Sequence, residues 1–297
     1  MKFEKYLFVV FVLVVSTLQS CKQCSQKKES SDEQNDTLLS GINDKSAFQS
    51  IYYRFPTPNE VFSFIKSENL SFDINLVNPL KNVNKYLDSK SQTLGLGIYV
   101  ADLAYITIFE SYNNSIPYYK AIHNLSEKVR ISSAYDLDVA KRIEKNLLNL
   151  DSLKNISVDS YSSMVEFLIM NNREVTLALI GTGAYIECFY IAFNLAGDYS
   201  NNNPLISKII DLKYAFDNLY AYLIIYSDNK QVKEVAQNLE NLKNLFNQIK
   251  EDKSSKTIVK QDKNGNLIFE GGTKLILEKD LYYKIRSEIY SIRKSMI

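Results

Sequence analysis

Asp102, Glu166, Arg173 and Glu187 are the residues of this chain whose types and positions could do chemistry. Asp102 stands in the apolar run GLGIYVADLAYITIF, between Tyr99 and Tyr105. Glu187 is the one charge in VTLALIGTGAYIECFYIAFNLA, Val175 to Ala196. A carboxyl group held in apolar surroundings costs free energy and shifts toward its protonated form. Two such groups together can do acid/base work. Arg173 and tyrosine hydroxyls are the groups able to satisfy them. Three readings follow. Tyr99, Asp102, Tyr105, Arg173, Glu187 and Tyr190 form a hydrogen-bonded network that fixes helix register or a ligand site, or else Asp102, Glu187 and Arg173 build an enzyme's interior acid/base site. The network is the preferred one.

Spacing narrows the partners. Glu166, Arg173 and Glu187 are seven and fourteen residues apart, which on a continuous helix keeps them within about 40° of one face. Along that helix Arg173 would lie about 21 Å from Glu187. The group that satisfies Glu187 must therefore come from a neighbouring helix, and Tyr99–Asp102–Tyr105 is the first place to look.

Other chemistries are excluded by inventory. His123 is the single histidine, so a zinc protease cannot be assembled, and with Cys21 acylated a Cys/His zinc cluster lacks its fourth ligand. His123 reads as an ordinary, partly buried residue. Asp262-Lys263-Asn264-Gly265-Asn266 resembles part of a calcium loop, but that register puts Lys260 first and Gly271 twelfth, where neither can ligate. Gly95-Leu96-Gly97 and Gly181-Thr182-Gly183 meet Val100 and Ile186 where a phosphate loop needs a third glycine. They read instead as small residues that let a neighbouring helix approach. No nucleophile elbow is present. We expect no metal and no cofactor. With 35 basic and 34 acidic residues, the chain has no charge excess of the kind nucleic-acid binding uses.

The positioning elements are mostly helices. Thr57-Pro58-Asn59-Glu60 spells a capping box and opens a helix to about Asn69. Asn78-Pro79 opens another, ending near Asp88. Further helices are expected over Gln92–Tyr112, Tyr118–Arg130 and Asp136–Asn149. From Asp159 to about Ala196 the pattern is one long helix, or two meeting near Asn171-Asn172. Leu205, Ile209, Leu212, Phe216, Leu219, Leu223 and Tyr226 make one apolar stripe; Val232, Val235, Leu239, Leu242, Phe246 and Ile249 make the next. The short link between them favours an antiparallel helical hairpin over a coiled coil with a partner chain. Thr257–Val259 and Leu267–Phe269 flank a turn, giving a β-hairpin at about 257–270. A last helix runs from 278 to about 294, with Leu281, Ile285, Ile289 and Ile292 on one face. The fold class is mainly α, a multi-helix antiparallel bundle with one small β-hairpin near the C-terminus. Within it Val175–Ala196 is long enough to span a membrane, yet its glycines and Glu187 favour a central helix of the bundle.

The N-terminus addresses the chain. Lys2 and Lys5 precede the apolar run Leu7–Val15, and Leu18-Gln19-Ser20-Cys21 resembles a bacterial lipobox. The expectation is a lipoprotein signal at residues 1–20, acylation of Cys21 as the membrane anchor, a polar tether over 21–45, and a single α-helical domain over 46–297. Several acyl chains make a stable anchor, and the tether reaches about 25–30 Å. Cys24 and Cys188 are badly placed to pair with each other. Of the aromatic residues, Tyr52-Tyr53, Tyr118-Tyr119 and Tyr282-Tyr283 stand out, because adjacent helical residues cannot both face one core; one of each pair is expected at the surface.

The segments FPTPNEVFSFIK, LGLGIYVADLAY, RIEKNLLNLDSL and NNREVTLALIGTGAYIECFY together resemble a group of uncharacterised helical lipoproteins of Bacteroidetes-type bacteria. The resemblance covers roughly Phe55 to Asn194. It implies recurrent positions at Tyr99, Asp102, Tyr105, Arg142, Asn146, Asp151, Arg173, Glu187 and Tyr190, and no biochemical role. It also implies more glycine near Gly181–Ala184 and a tryptophan near Tyr185; this chain has Thr182, Ala184 and Tyr185 there, so a site at that place would differ in shape. Together these readings describe a lipid-anchored cell-envelope protein, at the outer membrane of a diderm bacterium, that presents helical grooves and exposed tyrosines to a protein or glycan partner.

Overall fold

Helix α1, Pro58–Lys66, begins as its sequence dictates: Glu60 N–H donates to Thr57 Oγ1 at 3.2 Å and Thr57 N–H to Glu60 Oε2 at 2.6 Å. The structure is a computed structural model. It describes residues 57–66, 70–134, 150–253, 258–261, 267–270 and 274–297, with Arg142, Lys145 and Asn146 besides. All of these belong to one unit, Asp44–Ile297. The signal, Cys21, the tether, Tyr52-Tyr53, the Asp262–Asn266 turn and most of the expected Asp136–Asn149 helix lie outside the described residues.

After α1 the chain departs from its sequence pattern. The helix expected from Asn78-Pro79 to Asp88 is only a 3-10 helix over Leu80–Lys85, preceded by a single 3-10 turn at Ile74–Leu76. The reason is that Asn78 does not face solvent as a cap. It is fully buried, and its side chain is committed to the hydrogen bonds described below. Residues 70–88 therefore form a strap rather than a helix.

The strap leads into α2, Ser89–Ile108, which Asp88 caps through Lys90 and Ser91 N–H. Then come α3, Ser115–Val129, and α4, Leu150–Met170. The expected long helix is two: α5, Glu174–Ala196, is separate from α4. Asn172 sits in the left-handed region at φ 53, and Arg173 N–H returns to Leu168 O at 2.8 Å, a Schellman close. The same motif ends α2 at Glu110 and α3 at Arg130, with φ 64 and 61.

Helices α6, Pro204–Ile225, and α7, Lys230–Phe246, form the expected antiparallel hairpin, closed by the Asn229 cap. Strand β1, Lys250–Asp252, follows, then β2, Ile258–Gln261, β3, Leu267–Glu270, and β4, Lys274–Ile276. β2 pairs with β3 as the sequence predicts, and β1 pairs with β4 outside it, so two antiparallel ladders nest. Helix α8, Lys279–Met296, packs back on α5 and α7.

The fold is thus a mainly α bundle, and α5 is its axis, touching α1, α2, α4, α6, α7 and α8. Among the described residues it is the helix long and apolar enough to cross a membrane, but 83% of its most apolar window is buried inside the protein. Its broadest contact is with α2, where glycines set the distance. A Cβ on Gly97 would fall 2.0 Å from Ile180 O, and one on Gly183 would fall 2.0 Å from Leu94 O. Each backbone lies in the notch left by the other's missing side chain. Gly95 instead seats the Tyr86 ring, 2.7 Å from where its Cβ would be.

The tyrosine pairs divide. Tyr282 is buried and Tyr283 half-buried, as expected, but Tyr118 and Tyr119 are both buried. Tyr118 has a polar interior to face, so the one-core rule does not apply to it. Among the tyrosines whose side chains are described, Tyr214 is the exposed one.

The crossing makes a sharp contrast testable. Gly183→Ala drives a methyl into a backbone carbonyl and is expected to cost about 2–3 kcal/mol in denaturant unfolding. Gly181→Ala, whose Cβ meets only Leu219 Cδ1 at 3.6 Å, is expected to gain up to about 1 kcal/mol from helix propensity.

Candidate functional site

Asp102 lies five residues beyond Gly97 on α2, and Glu187 lies four beyond Gly183 on α5. The close crossing therefore brings the two carboxyl groups together, and both are 0% exposed. The counter-charge comes from α8. Arg293 Nε donates to Glu187 Oε2 and Nη2 to Oε1, each at 2.6 Å. This two-pronged geometry is the strongest a guanidinium can make with a carboxylate. The Tyr190 ring backs the guanidinium, whose carbon lies 3.7 Å from the ring centroid.

Asp102 has no such partner. Its Oδ2 accepts the Asn78 N–H at 3.2 Å, while Oδ1 faces no donor. An ionised Asp102 would leave that oxygen bare in a dry interior. A proton resolves this, because a protonated Asp102 can donate to the Glu187 carboxylate. Burial pushes Asp102 well above the usual carboxylate range and the Glu187 charge adds to it, against Arg293 and the Asn78 N–H. Burial raises Glu187 as well, but the Arg293 hydrogen bonds and charge oppose that. Glu187 is the ionised member, Asp102 the protonated one, and Arg293 balances the single negative charge.

The strap closes the site. Asn78 uses every polar group it has. Its Nδ2 donates to Tyr86 Oη at 2.9 Å, its Oδ1 accepts from Asn82 Nδ2 at 2.6 Å, and its carbonyl accepts from Tyr118 Oη at 2.9 Å. Tyr99 Oη donates to Pro79 O at 2.9 Å. Burial, the largest cause in each case, raises the Tyr86, Tyr99 and Tyr118 phenols, and it raises the Cys188 thiol beside Glu187 likewise. These groups stay protonated and serve as donors and fillers.

Of the residues singled out in the sequence, Tyr99, Asp102, Glu187 and Tyr190 come together. Tyr105 does not join them; its hydroxyl accepts the Asp73 N–H of the strap at 2.9 Å. Arg173 is elsewhere. It caps the end of α3, donating to Arg130 O at 2.7 Å and Val129 O at 2.8 Å, because the break between α4 and α5 turns it away from the Glu187 face. Glu166 is exposed on α4. Arg142 is exposed and lies 3.7 Å from Asp159, and Asn146 Nδ2 bonds the Arg142 carbonyl. The Asp151 side chain lies outside the described residues. His123 is partly buried, 3.9 Å from Glu127.

Sequence reasoning missed Asn78, Asn82, Tyr86, Tyr118 and Arg293. Arg293 did leave a signal. Leu281, Ile285 and Ile289 advance in steps of four, and the next step is Arg293. A charge on the apolar stripe of a helix announces a buried partner.

Chemically, the arrangement holds one proton between two carboxyls, shut away from solvent. Among the described residues no group of three or more His, Cys, Asp or Glu side chains could hold a metal ion, and the two buried carboxyls are already matched by Arg293. Comparison with known proteins finds no matching family model, curated protein or solved structure.

Two variants separate the roles. Arg293→Met leaves Glu187 charged and unpaired, and is expected to cost about 3–5 kcal/mol of unfolding free energy. Asp102→Asn keeps the acceptor and donor of the protonated acid and is expected to change stability by less than about 1 kcal/mol at about pH 4 and below, where the unfolded carboxyl is itself protonated. The pH profile fixes the sign. A folded-state pKa raised by burial contributes stability that is complete below about pH 4, the unfolded carboxyl's range, and is lost as pH rises through the folded value. The wild type should therefore lose stability relative to Asp102→Asn as pH rises, measured by urea midpoints across that range.

Proposed function

We propose that this chain is a lipid-anchored protein of the bacterial cell envelope that works as a binding or assembly module for a protein or glycan partner. The observation that carries the reading is Leu18-Gln19-Ser20-Cys21 following a basic start and a short apolar run. In this reading Cys21 is acylated and holds the chain at the outer membrane, and the tether gives the helical body reach. The resemblance to helical envelope lipoproteins points the same way.

The geometry of the body favours this over the enzyme reading. That reading needs Asp102, Glu187 and Arg173 in one interior pocket, and Arg173 is instead the cap of α3. The carboxyl pair that does form is fully buried and matched by Arg293. It serves as an internal brace, which leaves the partner-binding role to the outer helical faces.

The test is metabolic labelling with a fatty-acid analogue, combined with fractionation. The wild type is expected to be labelled and to enter the detergent phase. Cys21→Ser is expected to lose the label and to appear in the soluble fraction once exported. Label retained in Cys21→Ser would overturn the anchor. A Cys21→Ser chain that resists carbonate washing would instead make Val175–Ala196 a membrane span.

A further inference from the structure

We propose that the Asp102–Glu187 pair is a proton-controlled catch for the strap: the proton shared by the two carboxyls keeps residues 70–88 closed over the bundle centre, and its loss lets them open.

The balance of charge at the site carries the argument. Two carboxyl groups, each 0% exposed, share one guanidinium, and that guanidinium is already bonded at both prongs to Glu187. The titratable groups that face Asp102 are Glu187 and Cys188 from α5, Arg293 from α8, Tyr99 from its own helix, Tyr118 from α3 and Tyr86 from the strap. Arg293 is the one cation in that set. With the proton in place, one negative charge meets one positive charge. Without it, two anions meet one cation in a site where Asp102 Oδ1 has no donor. Admitting water is the way to relieve that imbalance.

The strap is where water can enter. Helices α2, α3, α5 and α8 are held by broad apolar packing and their own backbone bonds. The strap covers the site with 3-10 turns, whose hydrogen bonds are weaker. It is fastened by polar links. Asn78 N–H rests on Asp102 Oδ2 at 3.2 Å, the Tyr99 and Tyr118 hydroxyls hold its carbonyls, and Tyr105 takes the Asp73 N–H. On its outer side Ile74, Leu80 and Leu87 are 43%, 38% and 84% exposed, while Val77 and Tyr86 on its inner side are buried in the core, so opening must also uncover those two side chains. Asn82 Oδ1, on its inner side, is buried without a partner, so opening also releases a bare acceptor to solvent. The direction follows from which state keeps the proton. The closed form holds it more tightly than an open, hydrated form, so opening increases as pH rises.

Hydrogen exchange on the full chain tests this, with rates corrected for intrinsic pH dependence. Protection of the strap amides between Asn75 and Tyr86 is expected to fall about tenfold or more as pH rises from the ordinary carboxyl range, about pH 4, to about pH 9. The amides in the middle of α2 and α5 keep their protection. In Asp102→Asn the strap's protection is expected to be flat across the same range. Protection independent of pH in the wild type, or the same fall in Asp102→Asn, overturns the proposal. A second arm needs no variant. The carbonyl stretch of a buried protonated carboxyl should be present in the infrared spectrum of the wild type at about pH 4 and fade in step with strap opening. Its absence at the lower pH overturns the proposal as well.

Discussion

The Glu187–Arg293 pair is the contact on which the rest of the bundle depends. It ties the last helix to the central one by two hydrogen bonds of 2.6 Å. A buried ion pair is poor at adding net stability, because desolvation offsets the attraction. Its effect is on specificity. With Glu187 fixed on α5, only one rotation and one register of α8 bring Arg293 to it and stack it on Tyr190. The apolar stripe of Leu281, Ile285, Ile289 and Ile292 would tolerate a slip of one turn; the guanidinium does not.

A steric constraint elsewhere brings a second carboxyl to the pair. Gly97 and Gly183 let α2 and α5 cross with their backbones interlocked, which sets Asp102 against Glu187. The second carboxyl then needs a proton, because one cation cannot serve two buried anions. Proton, ion pair and glycine notch are three parts of one arrangement. The strap joins it through Asn78, whose backbone and side chain together bond Asp102, Tyr86, Asn82 and Tyr118. Its lost helix is the local cost of a continuous polar network.

Much of the fold was legible in the sequence where local chemistry and burial agree. The Thr57 capping box, the twin stripes of α6 and α7, and the inner β-hairpin all follow from short-range patterns. So does the reading of Gly97 and Gly183 as a helix approach. Legibility failed where a distant contact overrides a local signal. Asn78-Pro79 spells a helix start, but Asn78 is drawn inward by Asp102 of α2 and Tyr118 of α3. Arg173 shares a nominal face with Glu187 until Asn172 turns left-handed and separates the helices. Arg293 lies 106 residues from its partner, so no window of sequence joins them. The prediction that Glu187 needs a partner from another helix was sound; which helix is a tertiary fact.

Glu187 and Arg293 act as one unit in the core. A double-mutant cycle with Glu187→Leu and Arg293→Leu, followed by urea unfolding, measures this directly. Each single change is expected to be severely destabilising, the double change to recover much of the loss, and the coupling to be about 2–3 kcal/mol or more. Additive effects, with a double variant as unstable as the two losses combined, would contradict it.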